Sequence, residues 1–331
     1  MQSKGTLLLR RSDVEALLNP VDCMAAVENV FRLQGQGRIP APGILGVKAT
    51  RGGLHVKAGL LSGDKDYLVS KLNANFPGNS ANFGLPTIQG IIAVFDAENG
   101  GPLAILDSID ITRKRTAAAS AVAAKYLARR DSSVATICGC GQQGRAQLRA
   151  VLLVLPLTKI YAFDANEQAA MNFRRKLLPE LKIDIELVRD LPDAIRNSDV
   201  CITCTTATKS FVSKEDVRLG TFIAAVGADD ENKQEIDPAL MASAKVVADS
   251  LEQSCAIGDV HHAIAQGLMR KEDVYAELCE IVAGKKIGRH ADDEITVFDS
   301  TGVATEDAAA AAAVYESALS RHIGTHFDFV A

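Results

Sequence analysis

The stretch VATICGCGQQG, residues 134–144, decides the fold of this chain. Its apolar beginning predicts a buried strand, and a helix is predicted from Gln142. The glycines between them, Gly139, Gly141 and Gly144, form the pattern G-x-G-x-x-G. Between a strand and a helix, the first glycine permits a tight turn and the second lets the backbone approach a pyrophosphate. The third glycine allows the helix to pack closely on the strand, and the start of the helix offers N–H groups to the phosphates. The stretch therefore predicts a dinucleotide-binding turn.

An acidic residue at the end of the next strand indicates which dinucleotide is bound. The predicted strand KIYAFDA, residues 159–165, contains Asp164, which lies 20 residues past Gly144. A carboxylate at this spacing accepts hydrogen bonds from the ribose hydroxyls and repels a 2′-phosphate. The residues directly after Asp164 include no arginine that could bind such a phosphate. The cofactor is therefore predicted to be NAD, as NAD⁺ or NADH, rather than NADP.

Short apolar strands alternate with helices on both sides of this turn. The region begins with the helix predicted for TAAASAVAAKYLARR, residues 116–130, and continues to about residue 303. Such alternation is typical of a parallel sheet with helices on both faces, so the region is predicted to be a doubly wound Rossmann domain. The predicted strands lie at residues 134–140, 159–165, 183–188, 199–206, 221–227, 245–250 and 294–301, with later helices near 252–266 and at 306–319.

The first third of the chain has a different pattern. A helical period runs from Ser12 to Gln34, and Pro20 predicts that it is divided into two helices. Strands interrupted by proline and glycine follow, and residues 85–108 predict a hairpin around the turn NGGP at 99–102. The fold class predicted for the whole chain is α/β, with a doubly wound Rossmann dinucleotide domain and a mixed α+β domain.

The composition limits the class of protein. The chain of 331 residues is long enough for about two domains, and its 47% hydrophobic and 23% charged residues are typical of globular proteins. A net charge of −5 disfavours nucleic acid and anionic membranes as partners, and no apolar run approaches the ~20 residues of a membrane span. Seven cysteines without a secretory signal predict a cytoplasmic protein. The C-x-x-C at 201–204 lies in a predicted strand, where its thiols point to opposite faces, so no metal site is predicted.

Five blocks of sequence occur in a fixed order that resembles a known family. They are LNANFPGN after Lys71, ITRKRTAAASAVAAKYLAR, GCGQQGRAQL, AAVGADDENKQEID and ITVFDSTGVATED, at residues 72–79, 111–129, 139–148, 224–237 and 295–307. From about Gly37 to Ala313 the chain is similar to the ornithine cyclodeaminase/mu-crystallin family. The resemblance implies an NAD(P)-dependent enzyme that acts at the α-carbon of amino or imino acids.

The same resemblance implies how the chain is divided and what it binds. Residues 1–115, rejoined by the C-terminal helix at 304–331, are expected to form a substrate and dimerisation domain. Residues 116–303 are expected to form the NAD-binding Rossmann domain. The predicted partners are a small amino- or imino-acid substrate and a second copy of the chain in a homodimer, with no nucleic acid and no membrane.

Two basic residues are predicted to act on the substrate. The resemblance assigns the active-site lysine to Lys71, which lies in an otherwise apolar segment, and burial would lower its pKa and suit it for proton transfer. Arg115 is predicted to begin the long helix, where an arginine opposes the helix dipole unless it holds an anion. Its planar guanidinium suits a substrate carboxylate, which is the role of the matching family arginine.

Asp229 is the candidate acid–base residue. It follows the predicted strand at 221–227, and loops after the carboxyl ends of parallel strands face the ligand crevice. The resemblance implies an acidic residue with a catalytic role here. Because Glu231 and Asn232 replace the Pro-Gly usual in the family, the choice between Asp229 and Asp230 stays open. The remaining cofactor contacts, some of them assigned by resemblance, are Thr116, Gln142, Gln143, Thr301, Gly302 and Val303.

One departure from the family bears on the substrate. Several members carry a carboxylate-binding arginine at the position that corresponds to Ile44. The next predicted strand, GLHVKAG at 53–59, carries His55 and Lys57 on one face at period two. These side chains either take over the anion-binding role or are an ordinary surface lysine and its hydrogen-bonded neighbour.

The function predicted from the sequence is hydride transfer between nicotinamide and the α-carbon of a small amino or imino acid, catalysed by an imino-acid reductase or amino-acid dehydrogenase. His55 and Lys57 favour a substrate with a neutral or acidic side chain. An alternative is an ornithine-type cyclodeaminase, an ammonia-lyase that uses NAD internally. A further alternative, of another class, is a ligand-binding protein similar to mu-crystallin.

Overall fold

The computed structural model describes residues 5–40, 42–63 and 65–329. The chain forms two compact units. The first unit contains the chain up to Arg115 and again from Val303, and the second unit is Thr116–Gly302. The ends of the predicted domains at residues 1 and 331 lie outside the described residues. Helices and strands are numbered below in chain order.

The first unit is built on a largely antiparallel sheet. Its strands are β1 (Thr6–Leu9), β2 (Gly43–Ala49), β3 (Gly52–Leu61), β4 (Tyr67–Asn75), β5 (Ile88–Asp96), β6 (Pro102–Asp107) and β17 (Thr325–Phe327). The helices that begin in this unit are α1 (Arg11–Leu17), α2 (Pro20–Gly35), α3 (Asn79–Phe83), α4 (Ser108–Leu127) and α12 (Ala304–Arg321). Within the described residues the strand order is β17-β1-β6-β5-β4-β3-β2. Neighbours are antiparallel except β1 and β6, which run parallel.

The two faces of this sheet have different surroundings. On one face, called the inner face, α12 packs on β3, β4 and β5, and α2 packs on α12. Because side chains alternate along a strand, Val69 and Ile92 are buried on the inner face. Their neighbours Leu68 and Ile91 point to the opposite, outer face, where they are 44% and 46% exposed. The outer face therefore keeps large apolar side chains in contact with solvent.

The N-terminal helical segment is divided as the sequence predicts. α1 ends at Leu17 and α2 begins at Pro20. The side chain of Asn19 accepts a hydrogen bond of 2.9 Å from the backbone N–H of Asp22 and so caps α2. Proline fits the first position of a helix because no hydrogen bond from its nitrogen is needed there.

The prediction that the long helix begins at residue 116 is wrong. α4 begins at Ser108, directly after β6, and contains Arg115 in its interior. The side chain of Asp107 accepts a hydrogen bond of 3.1 Å from the backbone N–H of Ile109, so the last residue of the strand also caps the helix. The argument that Arg115 opposes the dipole of a helix start therefore does not apply.

The second unit is built on a parallel sheet. Its strands are β7 (Val134–Cys138), β8 (Lys159–Phe163), β9 (Asp184–Leu187), β10 (Val200–Thr203), β12 (Phe222–Ala225), β14 (Lys245–Ala248), β15 (Ala276–Glu277) and β16 (Thr296–Asp299), and a separate pair is formed by β11 (Thr208–Val212) and β13 (Gln234–Ile236). The α-helices are α5 (Gln142–Val151), α6 (Glu167–Leu181), α7 (Leu191–Arg196), α8 (Pro238–Ser243), α9 (Leu251–Ile257), α10 (Asp259–Ala265) and α11 (Leu278–Val282), with short 3₁₀ helices at Lys214–Asp216 and Lys271–Asp273.

The strand order identifies where this unit would bind a ligand. The order within the described residues is β15-β14-β16-β12-β10-β7-β8-β9, and all neighbours are parallel. The chain moves outward from β7 to β9 and then returns to place β10 on the other side of β7. In sheets of this kind ligands bind beyond the carboxyl ends of the strands at the point where the order reverses. The predicted α/β class with a Rossmann unit is confirmed.

The helix predicted near residues 252–266 is two helices. α9 ends at Ile257, and α10 begins at Asp259 after Gly258. A Cβ on Gly258 would lie 2.4 Å from the carboxylate of Asp299. That carboxylate accepts hydrogen bonds from the first backbone N–H groups of α10, and the bonds explain why a new helix begins here. In the described part of the chain, no helix is both long enough and apolar enough to span a membrane.

Candidate active site

The glycine-rich turn joins β7 to α5. Gly139 has φ +99°, and a Cβ there would lie 2.7 Å from the carbonyl oxygen of Cys204. A Cβ on Gly144 would lie 2.0 Å from the carbonyl oxygen of Gly139, so the helix packs directly against the turn. A Cβ on Gly141 would meet no described atom within 4 Å. The turn is therefore tight inside and open beside Gly141, which is the geometry that lets a pyrophosphate approach the backbone.

Asp164 lies against this turn at the end of β8. Its Oδ2 accepts a hydrogen bond of 2.8 Å from the backbone N–H of Cys140, and its Oδ1 accepts one of 2.8 Å from the backbone N–H of Asn166. The carboxylate is half-buried and fixed in position by both bonds. A carboxylate fixed beside a dinucleotide turn can accept hydrogen bonds from ribose hydroxyls, and it repels a 2′-phosphate.

The segment after β16 is held by a buried carboxylate. Asp249, directly after β14, accepts hydrogen bonds of 2.6 Å from the backbone N–H of Gly302 and 2.9 Å from the hydroxyl of Thr301. Gly302 has φ +77°, which glycine adopts without strain. Thr301 and Gly302 thus lie at a fixed position past the carboxyl end of a parallel strand, whereas Val303 is the N-cap of α12 in the first unit.

The other predicted cofactor residues lie on two helices. Gln142 is exposed and Gln143 is half-buried, and both belong to the first turn of α5, where backbone N–H groups are available to a phosphate. Thr116 is half-buried in α4.

The loop after β12 carries the candidate acids. Asp229 is exposed and forms an ion pair with Lys233. Asp230 is also exposed, and its Oδ1 accepts hydrogen bonds of 3.1 and 3.0 Å from the backbone and side-chain nitrogens of Asn232. Both acids therefore have partners within their own loop, Asn232 for Asp230 and Lys233 for Asp229. The role of Asp229 stays a prediction.

A buried cluster of charges lies on the inner face of the first unit. Lys71 is 4% exposed, and its Nζ lies 2.6 Å from Oδ2 of Asp307. Arg115 is also 4% exposed; its Nε donates to Oδ1 of Asp307 at 2.9 Å and its Nη1 to Oε2 of Glu306 at 2.7 Å. Asp307 therefore joins Lys71 to Arg115. Within the described residues these bonds do not use Nη2 of Arg115, which leaves N–H donors for a ligand.

The cluster sets the charge state of its members. Burial lowers the pKa of Lys71 to about 8; Arg115 and Lys57 lower it as well, and Asp307 opposes them. Burial alone would lower the pKa of Arg115, but the charges of Asp307 and Glu306 outweigh that effect and raise it. Burial would raise the pKa of Asp307, but Arg115 and Lys71 hold it below its ordinary value. Asp307 therefore stabilises the charged forms of both Lys71 and Arg115.

Lys57 and His55 share the face of Lys71. In the ladder between β3 and β4, Lys57 pairs with Lys71 and His55 pairs with Asn73, and directly opposed residues point to the same face. Lys57 is half-buried and His55 is exposed. Lys57 also pairs with Ile44 across β2 and β3. The lysine therefore lies opposite Ile44, the position at which the resemblance predicts a carboxylate-binding arginine in other family members.

Sequence reasoning missed Glu306, Asp307 and Asp249. The two acids at the start of α12 resembled an ordinary favourable pairing of negative charge with a helix N-terminus. One signal was available: the alanine run that follows, residues 308–313, has no polar side chain, and a helical segment that is apolar all round is buried. Carboxylates at the start of a buried helix need cations as partners, and Lys71 and Arg115 are those partners.

Comparison with known proteins identifies the family. A model of the ornithine cyclodeaminase/mu-crystallin family matches residues 4–322. The chain belongs to this family. Among relatives in the ornithine cyclodeaminase/mu-crystallin family, the alanine dehydrogenase of Archaeoglobus fulgidus is 39% identical over 324 residues, which cover 98% of each chain. The iminosuccinate reductase of Paracoccus denitrificans is 34% identical over 320 residues, which cover 96% of this chain and 98% of the relative.

Solved structures of family members are similar in fold. An archaeal alanine dehydrogenase dimer with bound NAD matches with a TM-score of 0.94 and 39% identity, covering 98% of this chain and 99% of that one. The Δ1-pyrroline-2-carboxylate reductase of Thermococcus litoralis, in complex with NADH and L-proline, matches with a TM-score of 0.92 and 36% identity, covering 97% and 100%. Both structural similarities extend over essentially the whole chain.

Proposed function

We propose that this chain is an NAD(H)-dependent oxidoreductase that transfers a hydride between nicotinamide and the α-carbon of a small amino or imino acid. The observation that carries the proposal is the buried pair of Lys71 and Arg115, joined by Asp307, in a chain whose second unit contains a complete dinucleotide-binding turn. The relatives named alanine dehydrogenase and iminosuccinate reductase support this class of reaction.

The residues of the second unit fit NAD(H). The first backbone N–H groups of α5 would hold the pyrophosphate, and the open space beside Gly141 would admit it. Asp164 would accept hydrogen bonds from the ribose hydroxyls. Structures of the archaeal alanine dehydrogenase with NAD and of the pyrroline-2-carboxylate reductase with NADH support the same cofactor. When bound, NADH supplies a hydride for reduction of an imine.

Arg115 and Lys71 would bind the α-carboxylate of the substrate. Asp307 holds the two cations side by side, and the Nη2 donors of Arg115 suit a carboxylate oxygen. The positive charge of Lys71 adds an ion pair, so the substrate is fixed at the end next to its α-carbon. The buried position strengthens these interactions because little water competes for the charges.

Asp229 would keep the substrate nitrogen protonated. A protonated imine is the better hydride acceptor because its positive charge is neutralised in the transition state. Asp229 lies in the loop that follows β12 at the carboxyl edge of the parallel sheet, and Lys233 is its ion-pair partner. The carboxyl group would donate a proton to the imine nitrogen in reduction and accept it in oxidation.

The charges of the first unit favour an acidic or neutral substrate side chain. Lys57 lies on the same face as the buried pair of Lys71 and Arg115, so three basic side chains meet in this part of the first unit. A second carboxylate on the substrate would be attracted by Lys57. A side-chain ammonium, as in ornithine, would instead be repelled by Lys57.

The experiment is a panel of NADH-oxidation assays. Glyoxylate, pyruvate and oxaloacetate, each with ammonia, are compared with cyclic imino acids and with the conversion of ornithine to proline. We expect NADH oxidation with imino acids and little turnover of ornithine. Efficient ornithine turnover would identify a cyclodeaminase instead, and binding without turnover of any substrate would identify a ligand-binding protein. Lys57→Ala should reduce any preference for oxaloacetate; an unchanged preference would make Lys57 an ordinary surface residue.

Variants separate the roles of the site residues. Lys71→Ala, Arg115→Ala and Asp229→Ala are each expected to lose most turnover and to keep NADH binding, because the cofactor contacts lie elsewhere. Arg149→Ala, which breaks a surface ion pair with Glu180, is the matched control and should keep full activity. Full activity of Asp229→Ala together with loss of activity in Asp230→Ala would move the acid–base role to Asp230.

We further propose that the outer face of the sheet joins two copies of the chain in a homodimer. The face presents a continuous group of apolar side chains: Leu45, Val47, Leu54, Val56, Leu60, Leu68, Leu72, Ile91 and Phe95. Strands β2 to β6, about 4.8 Å apart and about 30 Å long, give it an area of about 700 Å². A stable interface buries about 800 Å² of each partner, so a second copy suits this face. The archaeal alanine dehydrogenase dimer supports the assignment.

We also propose a cytoplasmic location. All seven cysteines are free, as expected for a protein kept in a reducing compartment.

A further inference from the structure

Glu235 is a fully buried carboxylate at the carboxyl edge of the parallel sheet. It lies on β13, after the loop that carries Asp229. Its Oε1 accepts hydrogen bonds of 2.6 Å from both the backbone N–H and the hydroxyl of Thr205, and its Oε2 accepts one of 2.8 Å from the backbone N–H of Gly227. Thr205 follows β10 and Gly227 follows β12, which are neighbours in the sheet. The carboxylate therefore joins the ends of two adjacent strands.

The contact with Thr205 extends to the dinucleotide-binding turn. A Cβ on Gly139 would lie 2.7 Å from the carbonyl oxygen of Cys204 and 3.2 Å from the Cγ2 of Thr205. The thiol of Cys204 donates to the carbonyl oxygen of Gly139 at 3.3 Å. A displacement of Thr205 would therefore move the backbone that packs against Gly139.

The contact with Gly227 extends to the candidate acid. The backbone N–H of Asp229 donates to the carbonyl oxygen of Gly227 at 3.1 Å. A Cβ on Gly227 would lie 2.5 Å from Oε1 of Glu235, so the loop closes tightly on the carboxylate. The position of Glu235 therefore determines where this loop leaves the sheet.

The backbone of Glu235 is also held in place by hydrogen bonds. The backbone N–H groups of Glu235 and Ile236 both donate to Oδ1 of Asp259 at 2.9 Å. Asp259 is the first residue of α10, and the carboxylate of Asp299 accepts from the backbone N–H groups of Asp259 and Val260. The strand that bears Glu235 is thus fixed to a helix and to the end of β16, which makes it a rigid support for the two loops.

We propose that Glu235 is a positioning residue, which fixes the loop after β10 against the dinucleotide-binding turn and the loop after β12 that carries Asp229. The inference rests on the proposed binding of NAD(H) by this unit. The carboxylate of Glu235 has three hydrogen-bond partners, which are two N–H groups and one hydroxyl, and all three act as donors. A group that only accepts hydrogen bonds therefore satisfies them together. Glutamine has nearly the same shape, but its NH₂ group cannot accept a hydrogen bond and would face an N–H donor.

The test compares Glu235→Gln with a matched control at the opposite edge of the same sheet. The control is Asp199→Asn, because Asp199 is also buried and accepts hydrogen bonds of 2.8 and 3.0 Å from the backbone N–H groups of Ser133 and Val134. For both variants the dissociation constant of NADH is measured by calorimetric titration of the full-length protein. Thermal unfolding and steady-state kinetics are measured alongside.

We expect Glu235→Gln to weaken NADH binding roughly tenfold, to raise the KM for NADH and to lower kcat, with the KM for the amino- or imino-acid substrate unchanged. Asp199→Asn should lose thermal stability and bind NADH within about twofold of the wild type. Equal NADH affinity in Glu235→Gln and the wild type, or equal losses of affinity in both variants, would overturn the proposal. The titration needs no turnover, so a failure to find a substrate would count against the proposed reaction alone.

A smaller change provides the test if Glu235→Gln does not fold. Thr205→Val keeps the shape of the side chain and replaces the hydroxyl, which donates to Glu235 and accepts from the backbone N–H of Ala207, with a methyl group. It is expected to weaken NADH binding about threefold, and Thr205→Ser should restore the affinity. Wild-type affinity in Thr205→Val would overturn the proposal.

Discussion

Lys71 shows how single residues set the chemistry of this protein. A surface lysine keeps its charge at any physiological pH, but Lys71 is buried and has a pKa of about 8. Its near neighbours act in opposite directions, because Lys57 and Arg115 are cations and Asp307 is an anion. The fraction of enzyme with a charged Lys71 therefore depends on residues from β3, α4 and α12, all in the first unit.

The pH dependence of the reaction should follow this lysine. If charged Lys71 binds the substrate carboxylate, kcat/KM for imine reduction falls as the pH rises through about 8. Lys57→Gln removes a like charge and should shift this fall to higher pH. Asp307→Asn removes the opposing charge and should shift it to lower pH. The check is the pH profile of kcat/KM for each variant, with Lys159→Gln in the second unit as a control that leaves the profile unchanged. Shifts of both variants in the same direction would contradict the assignment.

Asp164 should decide between the two nicotinamide cofactors. Its carboxylate, fixed by Cys140 and Asn166, would accept from a 2′-hydroxyl and repel a 2′-phosphate. We expect kcat/KM with NADH to exceed that with NADPH at least about tenfold, equivalent to ~1.4 kcal/mol. Asp164→Ser should lower the ratio of kcat/KM with NADH to kcat/KM with NADPH. Glu167 is an exposed acid nearby, and Glu167→Ser should leave this ratio unchanged. Equal efficiency of the wild type with both cofactors would disprove the role.

At the scale of the elements, the sequence indicated most of the second unit and less of the first. The parallel strands and the glycine-rich turn follow from local apolar runs and from glycine positions, which are visible along the chain. The start of α4 was missed because its cap, Asp107, is the last residue of a strand. The apolar helix that follows Glu306 and Asp307 indicated that these acids are buried. Their partners Lys71 and Arg115 were missed because they are far away in the sequence, and local patterns do not identify such contacts.

The two glycines of the turn should respond differently to the same substitution. Gly144→Ala places a methyl group 2.0 Å from the carbonyl oxygen of Gly139, and we expect a loss of about 1–3 kcal/mol in the free energy of unfolding. Gly141→Ala meets no described atom within 4 Å, so the stability should be unchanged. The methyl group would instead occupy the space that is proposed to hold the pyrophosphate, and it should weaken NADH binding at least about tenfold. Denaturant unfolding and NADH titration of both variants test this contrast. Equal changes in stability and in NADH affinity in the two variants would refute it.

At the scale of the whole molecule, the sheet of the first unit carries large apolar side chains on both faces. Helix α12 covers the inner face, and in the proposed dimer a second copy of the chain would remove the side chains of the outer face from water. The sheet would then have no exposed apolar face, which explains why large side chains such as Leu68 and Ile91 alternate with the buried residues of the same strands.

Charges on the outer face should dissociate the dimer. Leu68→Lys combined with Ile91→Lys places two cations on the outer face, where burial against the other copy would be strongly unfavourable. Analytical ultracentrifugation is expected to find a dimer for the wild type and a folded monomer for the double variant. Leu219→Lys changes an exposed leucine of the second unit and should leave the dimer intact. A wild-type monomer, or a dimer unaffected by the double variant, would exclude this interface.

The discontinuity of the first unit has a consequence during protein synthesis. The ribosome completes the second unit, Thr116–Gly302, before it reaches α12. Domains tend to fold as they emerge, so the nucleotide-binding unit can fold while the first unit still lacks its last helix. Until then Lys71 and Arg115 have no Asp307 or Glu306 to balance them. The nascent chain can therefore form its nucleotide-binding unit first, and only translation through α12 completes the cluster that is proposed to bind the substrate.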